Sequence, residues 1–97
     1  MNDNIGKKIL IADDDLSFLD TADKKLTQRG FQVLVSNLSE AVNILKREVI
    51  STVFIDYNSA KSDGASILNT VESLEDKPLI QYFGQLAEME GPEKVYQ

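Results

Sequence analysis

Four aspartates, gathered in two short stretches, carry the chemistry that this sequence can do. Lys8-Ile9-Leu10-Ile11-Ala12-Asp13-Asp14-Asp15 runs an apolar stretch straight into three carboxylates, and Thr52-Val53-Phe54-Ile55 is followed by another, Asp56. A short apolar run bounded by polar residues reads as a strand buried on both faces, so these carboxylates sit where strands leave their sheet. In open parallel sheets that carboxyl edge is where ligands bind. Three adjacent carboxylates repel one another, and ionising them all is costly unless a cation sits among them. Two readings follow for the triplet: a divalent-metal pocket, or one carboxylate capping the next helix with the others solvated. If the two strands are neighbours, Asp13 and Asp14 converge with Asp56, which favours the pocket. Magnesium suits such a set, since it takes one or two carboxylates, a carbonyl, waters and a phosphate oxygen. An aspartate beside that metal can act as a nucleophile and become an aspartyl phosphate. The plainer reading of Asp56 is a strand-end turn former bonded to its own loop.

The elements that must position these groups fit one domain of 97 residues with an ordinary apolar share of 42%. Sixteen acidic residues against ten basic ones give a net charge of −6, which argues against direct contact with nucleic acid or anionic lipid. Cysteine and histidine are absent. That excludes disulfides, thiolate metal sites, histidine general bases and most zinc chemistry. No apolar run reaches membrane-spanning length, and Met1-Asn2-Asp3-Asn4 does not begin a signal peptide, so a cytoplasmic protein is expected.

Strand-like and helix-like stretches alternate. After the first strand, residues 16–29 carry Phe18, Leu19, Ala22 and Leu26 at helical spacing, with Asp15 placed to cap the start and Gly30 to end it. Phe31-Gln32-Val33-Leu34-Val35 reads as a strand. A second helix is expected to start near Ser39 and end around Glu48, with Leu38, Ala41, Val42 and Leu45 as its apolar stripe. Thr52-Val53-Phe54-Ile55 is the third strand, and residues 57–64 read as a polar turn. Ala65, Ile67, Leu68, Val71 and Leu74 mark a third helix, and Pro78 opens a fourth strand, Leu79-Ile80-Gln81-Tyr82-Phe83. Such alternation with short connections predicts an α/β open sheet of parallel strands joined by right-handed crossovers.

Over residues 8–84 the chain resembles a response-regulator receiver domain of two-component signalling, truncated and atypical. The resemblance rests on Ile9-Leu10-Ile11-Ala12-Asp13-Asp14, Val53-Phe54-Ile55-Asp56-Tyr57-Asn58, Asp63-Gly64 and Pro78-Leu79-Ile80 at these intervals. It implies a flavodoxin-like sheet of about four strands in which the first and third are neighbours. It also implies Asp56 as phospho-acceptor, with magnesium held by Asp13, Asp14, Asp56 and the Asn58 backbone carbonyl. Gly64 would permit the tight turn before the third helix. The implied partner is a histidine kinase or a phosphotransfer protein, and the domain would be no enzyme beyond self-catalysed phosphoryl transfer and dephosphorylation.

The departures from the family pattern are equally specific. Receivers end the fourth strand with a Thr or Ser hydroxyl that bonds the phosphoryl group; here Phe83 stands at that place, followed by Gly84. They also carry a lysine at the end of a fifth strand. No fifth strand or fifth helix is evident before Gln97, and Lys94 lacks the expected surroundings. Ala60 replaces the family's loop proline. Weak, poorly transmitted phosphorylation is the expectation. A degenerate receiver acting as a phosphorylation-independent docking or dimerisation module is the alternative. A flavin- or nucleotide-binding domain is disfavoured, because the first strand–helix junction has no glycine-rich phosphate loop. The domain would have its core at residues 7–84 and a tail or short helix at 85–97. An exposed apolar fourth strand would invite a symmetric homodimer.

Overall fold

The computed structural model describes residues 7–83. The chain builds β1 (Lys8–Ala12), α1 (Leu16–Gln28), β2 (Gln32–Ser36), α2 (Leu38–Arg47), β3 (Thr52–Asp56), α3 (Tyr57–Ala60), α4 (Ala65–Ser73) and β4 (Leu79–Phe83). The four strands form one parallel sheet in the order β2-β1-β3-β4. This is the expected open α/β sheet of the flavodoxin-like kind, with the first and third strands side by side. Gly84 and the tail at 85–97 lie outside the described residues.

Alternation along each strand splits the core between the two faces of the sheet. Leu10, Ala12, Val53 and Ile55 point to one face and pack with Leu38, Ala41, Ile44 and Leu45 of α2 and with Ile67 and Val71 of α4. Ile9 and Ile11 point to the other and meet Leu19 of α1, with Leu26, Val33 and Phe54 around them. The first face carries most of the buried surface because both rightward crossovers, through α2 and α4, must lie on it.

Helix ends follow local chemistry. The Asp15 side chain accepts hydrogen bonds from the N–H groups of Ser17 and Phe18 at 3.0 and 3.2 Å, so it caps α1 as expected. Gly30 follows the last turn at φ 96°, a conformation that favours glycine. The cap of α2 is Asn37 rather than Ser39: its side-chain oxygen accepts from Glu40 N–H at 2.8 Å, and the helix starts at Leu38. That choice turns Leu38 into the core at the first position of the helix. The turn expected at 57–64 divides into the four-residue helix α3 and a turn at 61–64. At the opposite edge of the sheet, Lys8 Nζ donates to Glu48 Oε1 at 2.7 Å. This hydrogen bond, together with the lysine's charge, holds the Glu48 carboxyl below its ordinary pKa.

Gly64 differs from expectation in its reason. Its φ of −92° is open to any residue, so no turn conformation demands glycine there. Space does. A Cβ would stand 2.7 Å from Ile55 Cδ1 and 2.8 Å from the Ser59 carbonyl oxygen. That same carbonyl accepts the Gly64 N–H at 2.6 Å, which closes the turn between α3 and α4.

Candidate functional site

The register places the acidic residues on one edge. Ala12 is paired with Ile55, so Asp13 and Asp56 leave adjacent strands at the same level. Asp56 is paired on its other side with Phe83. Asp13 and Asp56 are half-buried, while Asp14 and Asp15 are exposed.

Each carboxylate also serves the backbone. Asp13 Oδ1 accepts from Asp15 N–H at 2.8 Å, and Asp13 N–H donates to the Ser36 carbonyl at 3.0 Å, extending the β1–β2 ladder. Asp14 Oδ1 accepts from Leu38 N–H at 3.4 Å, reaching from the β1–α1 loop to the start of α2. Asp56 Oδ2 accepts from Ser59 N–H at 3.1 Å and caps α3. The Asn58 carbonyl accepts from Lys61 N–H at 3.3 Å and from the Ser62 hydroxyl at 3.0 Å.

These bonds decide which oxygens are open to a cation. Among the described residues, no group of three or more acidic side chains is disposed to hold a metal ion. The sheet therefore brings Asp13, Asp14 and Asp56 to one edge without gathering all three into a cradle. Magnesium needs only one or two carboxylates and completes its shell with water. Asp13 and Asp56 each keep one oxygen that accepts no hydrogen bond within residues 7–83, so the hard-oxygen donors it prefers are present. Asp14 likewise keeps Oδ2 open while Oδ1 holds Leu38, and the Asn58 carbonyl joins such a set by giving up a hydrogen bond from Lys61 or Ser62.

Aromatic side chains close around the same edge. The Phe83 ring packs against Phe18 of α1, with centroids 4.7 Å apart and planes tilted by 32°. On the other face Tyr57 meets Tyr82 edge-on at 5.7 Å and 88°, and Lys61 Nζ lies 5.1 Å from the centre of the Tyr57 ring. Phe18 reads from its spacing as a core residue of the first helix, yet it is 37% exposed and its ring partner is on β4. Lys61 sits in a stretch that reads only as turn. Neither contact leaves a signal in sequence, because each depends on how separate elements meet.

No family model matches the chain, and no solved structure matches it. It is similar to two curated proteins, each named as a probable transcriptional regulator ycf27. The protein of Porphyra purpurea is 33% identical over 79 residues, covering 80% of this chain and 32% of the relative. That of Pyropia yezoensis is 32% identical over the same length and shares. The chain thus spans about a third of the length of these relatives. Acidic residues delivered by neighbouring parallel strands, the strand order of the sheet and this similarity across four-fifths of the chain together place it in the response-regulator family, as a receiver domain.

Proposed function

We propose that the domain accepts a phosphoryl group on Asp56, in the presence of magnesium, from a histidine kinase or phosphotransfer protein, and that its output is altered. The observation that carries this reading is the placement of Asp56: it ends β3 at the carboxyl edge, level with Asp13 and half-buried. One of its oxygens is held by Ser59 N–H, which orients the carboxylate; that oxygen keeps a second lone pair for the metal, and the other oxygen is left to attack phosphorus. Asp13 and Asp56 would hold the magnesium, with Asp14 through its open Oδ2 and the Asn58 carbonyl, once a bond from Lys61 or Ser62 is released, as further ligands. The bound ion would supply neutralisation of charge on the incoming phosphoryl group. Catalysis of this kind is mostly positioning, so the domain is a phosphoacceptor rather than a general enzyme. A cytoplasmic setting without nucleic-acid or membrane contact agrees with the net charge of −6 and with the lack of a membrane-length apolar helix among the described residues.

Incubation with acetyl phosphate and magnesium, followed by intact mass, tests the reading. Wild type gains the mass of one phosphoryl group and Asp56→Ala gains none. An unmodified wild type under conditions where magnesium binding is detected would overturn it.

Phe83 favours a second reading. Its ring lies against Phe18 where the family's hydroxyl is expected, and phenylalanine donates no hydrogen bond to a phosphoryl group. A pseudo-receiver that docks or dimerises without phosphorylation would use this edge as a packing surface. Among the described residues β4 pairs only with β3, and Leu79 is 67% exposed. Pairing through β4 into a homodimer would give a sedimentation mass that rises with concentration towards twice the chain mass. A constant monomer mass would exclude it.

A further inference from the structure

The cations of residues 7–83 are unevenly placed. Those that open β1, lie in the second half of α1, end α2 or precede β4 stand towards the edge where the strands begin, because each crossover helix runs back against the strands. Lys61 alone among them lies at the carboxyl edge, at the end of α3, with Asp56 at that helix's start. Its side chain is exposed and forms no ion pair among the described residues. Instead its ammonium lies over the Tyr57 ring, which is braced by Tyr82 and belongs to the residue next to Asp56.

We propose that Lys61 is the cation that pairs with the phosphoryl group on Asp56, and that the Tyr57 ring positions it. The proposal rests on the reading of Asp56 as phospho-acceptor. In the transfer, an Asp56 carboxylate oxygen attacks phosphorus and the bond between phosphorus and the donor breaks, its electron pair leaving with the donor. The side chain passes from one negative charge to two, and Lys61 stays protonated throughout. In the reverse loss, water attacks phosphorus, the bond to the Asp56 oxygen breaks, the carboxylate is restored and dihydrogen phosphate departs with both protons of the water. An ammonium resting on an aromatic face has no carboxylate to abandon, so turning to a new dianion costs it little. A lysine pairs with phosphate as a point charge and needs no fixed fork geometry.

The test is the time course of phosphoryl occupancy by intact mass, with acetyl phosphate and magnesium, for the full chain as wild type, Lys61→Arg and Lys61→Gln. Thermal unfolding is measured alongside. Lys61→Gln is expected to lower occupancy about tenfold with unchanged unfolding, while Lys61→Arg keeps at least half of the wild-type level. Equal occupancy in wild type and Lys61→Gln would overturn the role of Lys61 and leave Asp56 as acceptor. Equal losses in both variants would overturn charge pairing in favour of loop shape. No adduct on wild type would overturn the acceptor reading and, with it, this one.

Discussion

Gly64→Ala lowers the melting temperature, although the usual argument for this substitution predicts a gain. At φ −92° alanine is conformationally at home, and replacing glycine at such a site normally stabilises by about 0.4–1 kcal/mol through the unfolded chain. Here the added methyl meets Ile55 Cδ1 at 2.7 Å and the Ser59 carbonyl oxygen at 2.8 Å. Ile55 can turn its terminal carbon, but the Ser59 oxygen is backbone and is itself held by the Gly64 N–H at 2.6 Å. Overpacking of this kind costs about 1–3 kcal/mol, which exceeds the entropic gain. The net loss of about 1–2 kcal/mol corresponds to a fall of roughly 5–10 °C for a domain of this size. Ser59 also donates its N–H to Asp56, so the same push disturbs the orientation of the Asp56 carboxylate. A melting temperature equal to or above that of wild type in circular dichroism would refute the steric account.

Leu10→Ala has the larger effect on stability. Leu10 is wholly buried in the central strand, paired with Leu34 on one side and Val53 on the other. Its side chain belongs to the cluster shared by α2 and α4. Truncating a buried leucine removes its transfer free energy and leaves a cavity, together about 3–4 kcal/mol. Sheet backbone on both sides limits relaxation into that space. A domain of this length has only about 5–10 kcal/mol of stability in total, so roughly half is lost. The urea midpoint falls accordingly with little change in slope, and a shift worth less than about 1 kcal/mol would show that the site collapses around the missing atoms.

The fold was legible because buried parallel strands are apolar runs and amphipathic helices keep their period. Asp15 and Gly30 could be read as helix boundaries, since each acts through its own local geometry. At α2 two competent caps stood two residues apart, and burial of Leu38 selected Asn37 over Ser39. The helix α3 was not legible: four residues carry no period, and it is held by the Asp56 carboxylate and by the closure of Ser59 on Gly64. The common edge of Asp13, Asp14 and Asp56 follows from strand order, which the family resemblance supplied. The direction in which each carboxylate turns depends on loop contacts, such as Asp14 with Leu38, that join residues distant in the chain. The meeting of Phe18 with Phe83 belongs to the same class, since it exists only once α1 and β4 have been brought to one face.

Because all four strands run the same way, every helix that follows a strand begins at the acidic edge. The amino ends of α1, α2 and α4 therefore point their macrodipoles, with partial positive charge, towards the region that holds the carboxylates. Asp15 completes α1, Asp14 reaches the first N–H of α2, and Asp56 starts α3. The groups available for chemistry are thus also fastenings of the scaffold. An aspartate removed from this edge takes with it part of the loop or helix start that it holds, while a carboxylate recruited to a new ligand can serve it with the oxygen that its backbone contact leaves open. In this domain, occupation of the site and the anchoring of its helices draw on the two oxygens of the same few carboxylates.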